Sequence, residues 1–121
     1  MMLMLKLSIL FLCLSILFLL SNSNPYQESE ALPNVVMILN GSSDPATAIS
    51  FSPSSLSIPA GQSVNWSNSD KVYHTVISIS QIFDSGIIEP GKAFVWPFDK
   101  PGYYKYYCQL HPFMNGVIIV S

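Results

Sequence analysis

The loop near the end of the chain carries three side chains that can bind a metal ion. Cys108, His111 and Met114 offer a thiol, an imidazole and a thioether, and they are spaced three residues apart. A thiolate, neutral imidazoles and a weak thioether are the donor set of a blue copper electron-transfer centre. Such a set needs a second imidazole, and His74 is the only other histidine in the chain. The spacing therefore predicts a copper site formed by this loop and His74.

Zinc and iron–sulfur sites suit these residues less well than copper does. Zinc accepts a cysteine and two histidines, but Met114 is a poor zinc ligand and the loop offers no carboxylate. Iron–sulfur clusters need several cysteines, and the chain has only Cys108 and, in its apolar N-terminal run, Cys13. Packing of each side chain in a core is the remaining alternative. It does not account for three scarce residue types meeting in one loop.

Short strands must position these donors. The predicted strands cover residues 35–39, 48–51, 56–58, 63–67, 75–79, 93–98, 103–108 and 117–120, separated by turns rich in Pro and Gly. Residues 83–88 are ambiguous between strand and loop. No stretch after the N-terminal run has the period of an amphipathic helix, so we predict an all-β, antiparallel sandwich or barrel. Alternation along residues 103–108 places Cys108 at the end of one strand face.

Aromatic residues at alternate positions are predicted to fill the core of this fold. They are Trp66, Phe94, Trp96 and Phe98. Pro97 then has to lie on an edge strand or at a bulge, because it has no amide hydrogen to donate. Met37 lies in an apolar run, which predicts a place in the core rather than at the metal.

Residues 1–23 are predicted to be a secretory signal peptide or an N-terminal membrane anchor. The uninterrupted apolar part, residues 7–20, follows Lys6 and precedes the small residues Ser21 and Ser23. This run matches the apolar region of a signal better than a full span, which needs about 20 residues. Retention of residues 1–20 as a membrane tether is the alternative. We expect residues 24–34 to be a linker and 35–121 a single domain, exported to the periplasm, the extracellular space or the outer face of the cytoplasmic membrane.

The charge of the chain argues against nucleic acid as a partner. Beyond residue 23 there are four lysines, no arginine and seven acidic residues, which gives 4 − 7 = −3 with neutral histidines. Nucleic-acid binding proteins carry clustered Lys and Arg. The charges here are dispersed along the chain and are predicted to form a solvated surface.

Several motifs resemble those of the small blue copper proteins, the cupredoxins. They are Gly61-x-x-Val64-x-Trp66-x-Asn68, His74-Thr75-Val76, Ser85-Gly86, Pro90-Gly91, Phe98, Gly102-x-Tyr104-x-Tyr106-x-Cys108 and Cys108-x-x-His111-Pro112-Phe113-Met114. Together they cover roughly residues 48–121. The short interval from histidine to methionine is similar to that of amicyanin, whereas plastocyanin has a longer one. One departure is Thr75, because many relatives have Asn directly after the first ligand histidine.

The resemblance implies an eight-stranded Greek-key sandwich that binds one type 1 copper per chain. The implied ligands are His74, Cys108, His111 and the axial Met114. His111 is implied to be the ligand at the solvent edge through which electrons pass. The loop residues themselves suggest that redox protein partners dock near His111, where Leu110 and Phe113 either form an apolar collar or simply pack within the loop. The protein is expected to be a monomer.

Three functions fit a protein of this kind. The first is a one-electron carrier that cycles between Cu(II) and Cu(I) without turning over a substrate of its own. The second is a copper carrier or storage protein, which would offer more soft donors than the two methionines beyond residue 23. The third is a multicopper enzyme, but no histidine remains for a second copper site. An electron-entry subunit of a larger oxidoreductase remains an alternative.

Overall fold

The computed structural model describes residues 34–121, so the predictions for residues 1–33, Cys13 among them, lie outside the described part of the chain. The strands are β1 Val35–Ile38, β2 Phe51–Ser52, β3 Ser55–Ile58, β4 Gln62–Asn68, β5 Ile77–Ser78, β6 Ala93–Phe98, β7 Gly102–Tyr107 and β8 Asn115–Val120. Within residues 34–121 no helix is long and apolar enough to cross a membrane.

The eight strands form two four-stranded sheets. One sheet has the order β2-β1-β4-β6 and the other has the order β3-β8-β7-β5. Buried residues alternate with more exposed ones in β1 and β4, as in Val36 and Ile38 of β1, which is the pattern of a sheet with one face on a core. The predicted all-β sandwich of eight strands is confirmed.

Two strand pairs are parallel, so the prediction of an antiparallel sandwich was wrong for these two pairs. β1 pairs with β4, and β3 pairs with β8, each in parallel register. Parallel neighbours need a long connection, and the chain supplies it because β2 and β3 lie between β1 and β4 in sequence. Period-2 patterns identify strands, but they do not identify the neighbour of each strand.

The strand predicted over residues 75–79 is shorter in the structure, where β5 has two residues. The amide of Thr75 points at Cys108 Sγ, at 3.4 Å, and the amide of Val76 donates to Ser85 Oγ at 2.7 Å. Because side chains take these two amides, they are not available to a neighbouring strand. The ambiguous segment 83–88 contains no strand and makes only isolated bridges.

Trp66 on β4 is at the centre of an aromatic core. Its ring centroid lies 5.7 Å from those of Phe83 and Phe94, and 5.4 Å from that of Tyr106. Of the four aromatic residues predicted for the core, Trp66 and Phe98 are buried and the other two are partly buried against them. Aromatic packing thus joins the two sheets in the region from which the metal-binding loop leaves β7.

Two further sequence predictions concern residues of β1 and β6. Pro97 is exposed on β6, which is an edge strand, as its missing amide hydrogen requires. Met37 is only partly buried, on the face of β1 opposite to Val36 and Ile38. Its predicted place in the core was wrong, because an apolar run of five residues does not show which of its two faces is covered.

Candidate metal centre

His74 lies in the loop between β4 and β5 and is fixed there by its backbone. It exchanges two backbone hydrogen bonds with Ile88: the His74 amide donates at 3.3 Å and the Ile88 amide donates at 2.8 Å. The side-chain amide of Asn68, at the end of β4, donates to the carbonyls of Val72 and Ile88 at 3.0 and 2.9 Å. These bonds close the loop and orient the His74 ring toward the end of β7.

The other donors come from residues 108–114, between β7 and β8. The Cys108 amide donates to the Met114 carbonyl at 3.1 Å, and the Met114 amide donates to the His111 carbonyl at 2.9 Å. The loop is therefore closed across its base, where two paired strands anchor both ends. Cys108 and Met114 are fully buried, whereas His111 is partly exposed.

Three donor atoms converge at the centre of this arrangement. Cys108 Sγ lies 3.7 Å from Nδ1 of His74 and 3.7 Å from Nδ1 of His111. All three atoms lie within 4.8 Å of one another, which makes the group one that could hold a metal ion. A nitrogen about 2.0 Å and a sulfur about 2.3 Å from one ion are about 3.7 Å apart at a trigonal angle. The donor spacing therefore fits a trigonal His₂Cys site, the arrangement that copper adopts with these ligands.

Met114 remains a predicted ligand. It is fully buried, and its backbone is hydrogen-bonded to those of Cys108 and His111. Blue copper sites have a weak thioether donor beside their His₂Cys group, which is the part predicted for Met114.

Thr75 braces the cysteine from the His74 side. Its amide lies 3.4 Å and its hydroxyl 3.8 Å from Cys108 Sγ. The same hydroxyl accepts a hydrogen bond from the Gln109 amide at 2.8 Å. The residue that departs from the Asn of many relatives thus links the His74 loop to the loop that carries the cysteine.

These contacts favour the thiolate form of Cys108. Burial alone raises the pKa of the thiol, but hydrogen bonds from His74, the Thr75 amide and His111 outweigh it and lower the pKa from 9.0 to about 6. The thiolate is the form that binds metal. The negative charge of the thiolate therefore favours binding of a cation to the metal-free site.

The metal-free protein is expected to titrate accordingly. The ultraviolet absorbance of the Cys108 thiolate should appear with a midpoint near pH 6, because the folded environment holds the pKa at about 6. Since the thiolate is the basic form, the signal should grow as the pH rises. Cys108→Ser is the control, since it leaves only Cys13. A midpoint close to the ordinary value would show that the three donors do not converge in solution.

Asp70 contacts the candidate site, although the sequence pattern did not indicate it. Its carboxylate Oδ2 lies 2.8 Å from His74 Nε2, and the residue is buried rather than part of the predicted solvated surface. Burial alone raises the pKa of this carboxyl, but hydrogen bonds from His74 and from the Gly41 and Lys71 amides lower it to about 2. Its position four residues before a predicted ligand histidine was the available signal. Loop acids are usually solvated, so that signal is weak.

The surface beside His111 is apolar and accessible. Leu110 is 48% exposed and Phe113 is 41% exposed, and the Phe113 ring centroid lies 6.2 Å from that of His111. The partly exposed imidazole is therefore bordered by an apolar side chain of its own loop, while the thiolate beneath it is closed to solvent.

Comparison with known sequences supports this description. A family model described as a cupredoxin-like domain matches residues 9–120. The amicyanin of Paracoccus versutus is 33% identical over 71 residues, which cover 54% of this chain and 54% of the relative. The plastocyanin of Scenedesmus fuscus is 31% identical over 87 residues, which cover 61% of this chain and 89% of the relative. The chain thus spans only about half the length of that amicyanin.

Solved structures show the same fold. A purple cupredoxin from Nitrosopumilus maritimus is 38% identical with a TM-score of 0.69, over 72% of this chain and 98% of the other. A copper-containing nitrite reductase from Thermus scotoductus is 28% identical with a TM-score of 0.62, over 76% of this chain but only 23% of the enzyme. Since the family model matches almost the whole chain, the protein belongs to the cupredoxin-like family.

Proposed function

We propose that this protein is a one-electron carrier with a single type 1 copper. His74, Cys108 and His111 would hold the copper, with Met114 as a fourth and weaker donor. The observation that carries the proposal is the convergence of Cys108 Sγ with Nδ1 of both histidines at 3.7 Å. Bound copper would supply the Cu(II)/Cu(I) couple, and its donor set is that of blue copper sites.

The chain contributes a rigid and closed set of donors. Strand pairing and backbone hydrogen bonds hold both ends of the 108–114 loop, and the bridge to Ile88 holds His74. A carrier benefits from such a frame, because ligands that do not move between redox states add little to the barrier of electron transfer. Four protein donors also leave no position for a substrate, which supports a carrier rather than an enzyme.

His111 is the proposed exit for electrons, and the loop around it the proposed docking surface. The imidazole is partly exposed, and Leu110 and Phe113 present apolar area beside it. An exposed apolar patch next to a redox centre suits brief contact with a protein partner. We propose that redox proteins dock there on a monomeric carrier.

Voltammetry of the copper-loaded chain tests this function. A carrier should give one reversible one-electron wave at one copper per chain. Met114→Gln should keep the wave and shift it to lower potential, because the axial ligand tunes the potential and an amide oxygen favours Cu(II) more than a thioether does. Met37→Leu, in β1, is the control.

Two results would contradict the proposal. Binding of several copper ions without a reversible wave would indicate a copper carrier or storage protein. An unchanged potential in Met114→Gln would remove Met114 from the ligand set.

A second candidate is an electron-entry subunit of a larger oxidoreductase. It is favoured by the match to 23% of the nitrite reductase chain, which shows this fold as one part of an enzyme. Size-exclusion chromatography of the native protein distinguishes a free carrier from an enzyme subunit. A free carrier elutes as a monomer, and a subunit elutes with its enzyme.

We also propose that residues 1–23 direct export, that 24–34 form a linker, and that 35–121 function outside the cytoplasm. The support is the apolar run 7–20 that follows Lys6 and precedes small residues. The mass of the mature protein tests this, since cleavage leaves a chain that starts at Asn24 and retention leaves residues 1–20 as a membrane tether.

A further inference from the structure

The second nitrogen of the His74 ring faces a buried carboxylate. Asp70 Oδ2 lies 2.8 Å from His74 Nε2, on the side of the ring away from Cys108 Sγ. Asp70 is 6% exposed and His74 is 0% exposed. Because Nε2 and Nδ1 lie on opposite sides of the ring, a carboxylate bonded to Nε2 cannot bind a metal held by Nδ1. Asp70 therefore contacts the proposed ligand and not the metal.

The carboxylate is held in place by two loops. Its Oδ1 accepts hydrogen bonds from the Gly41 amide at 3.0 Å and the Lys71 amide at 2.8 Å. The Ser42 hydroxyl donates to Oδ2 at 3.3 Å. Since the backbone satisfies Oδ1, Oδ2 is left directed at His74. The β1–β2 loop, which contributes no metal donor of its own, thereby supports the metal centre.

This contact determines which His74 nitrogen carries the proton. An ionised carboxylate can only accept hydrogen bonds. When a metal displaces the Nδ1 proton that faces Cys108, Nε2 must therefore keep its own proton, and the lone pair of Nδ1 is free for the metal. Fixing the tautomer of a ligand histidine in this way also makes the imidazole a stronger donor.

We propose that Asp70 is a positioning residue for His74 that fixes the orientation and tautomer of the ring and favours Cu(II) over Cu(I) through its negative charge. The inference rests on the proposed function, because it takes copper as the metal. The physical reason is that a buried anion one imidazole away from the ion stabilises the more positive oxidation state.

Asp70→Asn tests the proposal with little change of shape. The new side chain keeps an acceptor for the Gly41 and Lys71 amides but removes the charge. We expect the affinity for Cu(II) to fall 10–100-fold, the usual effect of losing such a partner. Each tenfold loss that affects Cu(II) alone raises the reduction potential by about 59 mV. Asp99→Asn is the matched control, since it removes one carboxylate from the exposed turn between β6 and β7.

Equal potentials and affinities in Asp70→Asn and wild type would overturn the proposal, and so would an equal shift in Asp99→Asn. If wild type shows no type 1 copper spectrum, the proposed function fails instead. The two failures are therefore distinguishable.

Nuclear magnetic resonance of the wild-type protein loaded with Zn(II) provides a test that needs neither copper nor a folded variant. Zn(II) is diamagnetic and accepts cysteine and histidine donors. The expected result is a slowly exchanging proton on His74 Nε2, because the Nε2 atom is buried and bonded to Asp70. A proton on Nδ1 instead, or rapid exchange at Nε2, would overturn the proposal.

Discussion

Replacing Cys108 by Ser is expected to abolish the intense visible absorption of the copper-loaded protein while the chain stays folded. The band of a blue copper site comes from charge transfer between thiolate and Cu(II), and a hydroxyl does not ionise to replace the thiolate. The substitution changes one atom at the end of β7. The backbone hydrogen bonds donated by residues 108 and 114 do not involve the replaced atom, so we expect the fold to be retained.

Visible absorption and circular dichroism of the variant check this expectation together. Gln109→Ala is the matched control, because Gln109 is exposed in the same loop and contributes its backbone amide rather than its side chain to Thr75. The control should retain the band. A Cys108→Ser protein that keeps an intense band would show that the cysteine is not a ligand. An unfolded variant would show that the thiol is required for folding, so that its role in copper binding could not be read from this variant.

Gly116→Ala is expected to lower the stability of the fold more than any of the substitutions at the metal site. Gly116 pairs with Tyr106 across the β7–β8 ladder, and the Tyr106 ring folds over it. A Cβ at position 116 would lie 2.3 Å from the Tyr106 hydroxyl oxygen, which no side chain tolerates without movement. Phe51 and Trp66 hold the ring edge to face, with centroids at 4.9 and 5.4 Å. Overpacking of this kind costs about 1–3 kcal/mol.

Urea unfolding of the metal-free protein measures this cost from the change in midpoint. Tyr106→Leu is the diagnostic second substitution, because it removes the hydroxyl oxygen and the ring carbons that the new methyl group would meet. Loss of the buried ring lowers stability by itself, so the two single variants and the double variant are compared as a double-mutant cycle. The double variant should lose less stability than the sum of the two single losses. Losses that simply add would show that the backbone of β8, and not Tyr106, requires glycine.

The sequence was most informative where scarce residue types had a fixed spacing. The chain has two histidines and a single cysteine beyond residue 23, so few donors could form a metal site with Cys108. Strand alternation then placed Cys108 and Tyr106 on one face, and both are buried in the structure. The presence of the strands was predictable for the same reason, because alternation and turn residues are local signals.

Features that depend on contacts between distant segments were not predictable. The parallel pairing of β1 with β4 depends on the route of the chain through β2 and β3. Asp70 looks like any loop acid until Gly41 and Ser42, about thirty residues earlier in the chain, are seen to enclose it. The role of Thr75 in linking the two ligand loops has the same origin, since Gln109 lies 34 residues away.

The most direct test of the copper site is the combined absorption and electron paramagnetic resonance spectrum of the full chain loaded with one equivalent of Cu(II). The convergence of Cys108 with His74 and His111 predicts an intense thiolate-to-copper band that a mild reductant bleaches reversibly. Faint colour with an ordinary tetragonal resonance signal would contradict the proposed type 1 site, because it would mean that the thiolate does not bind the ion together with both imidazoles.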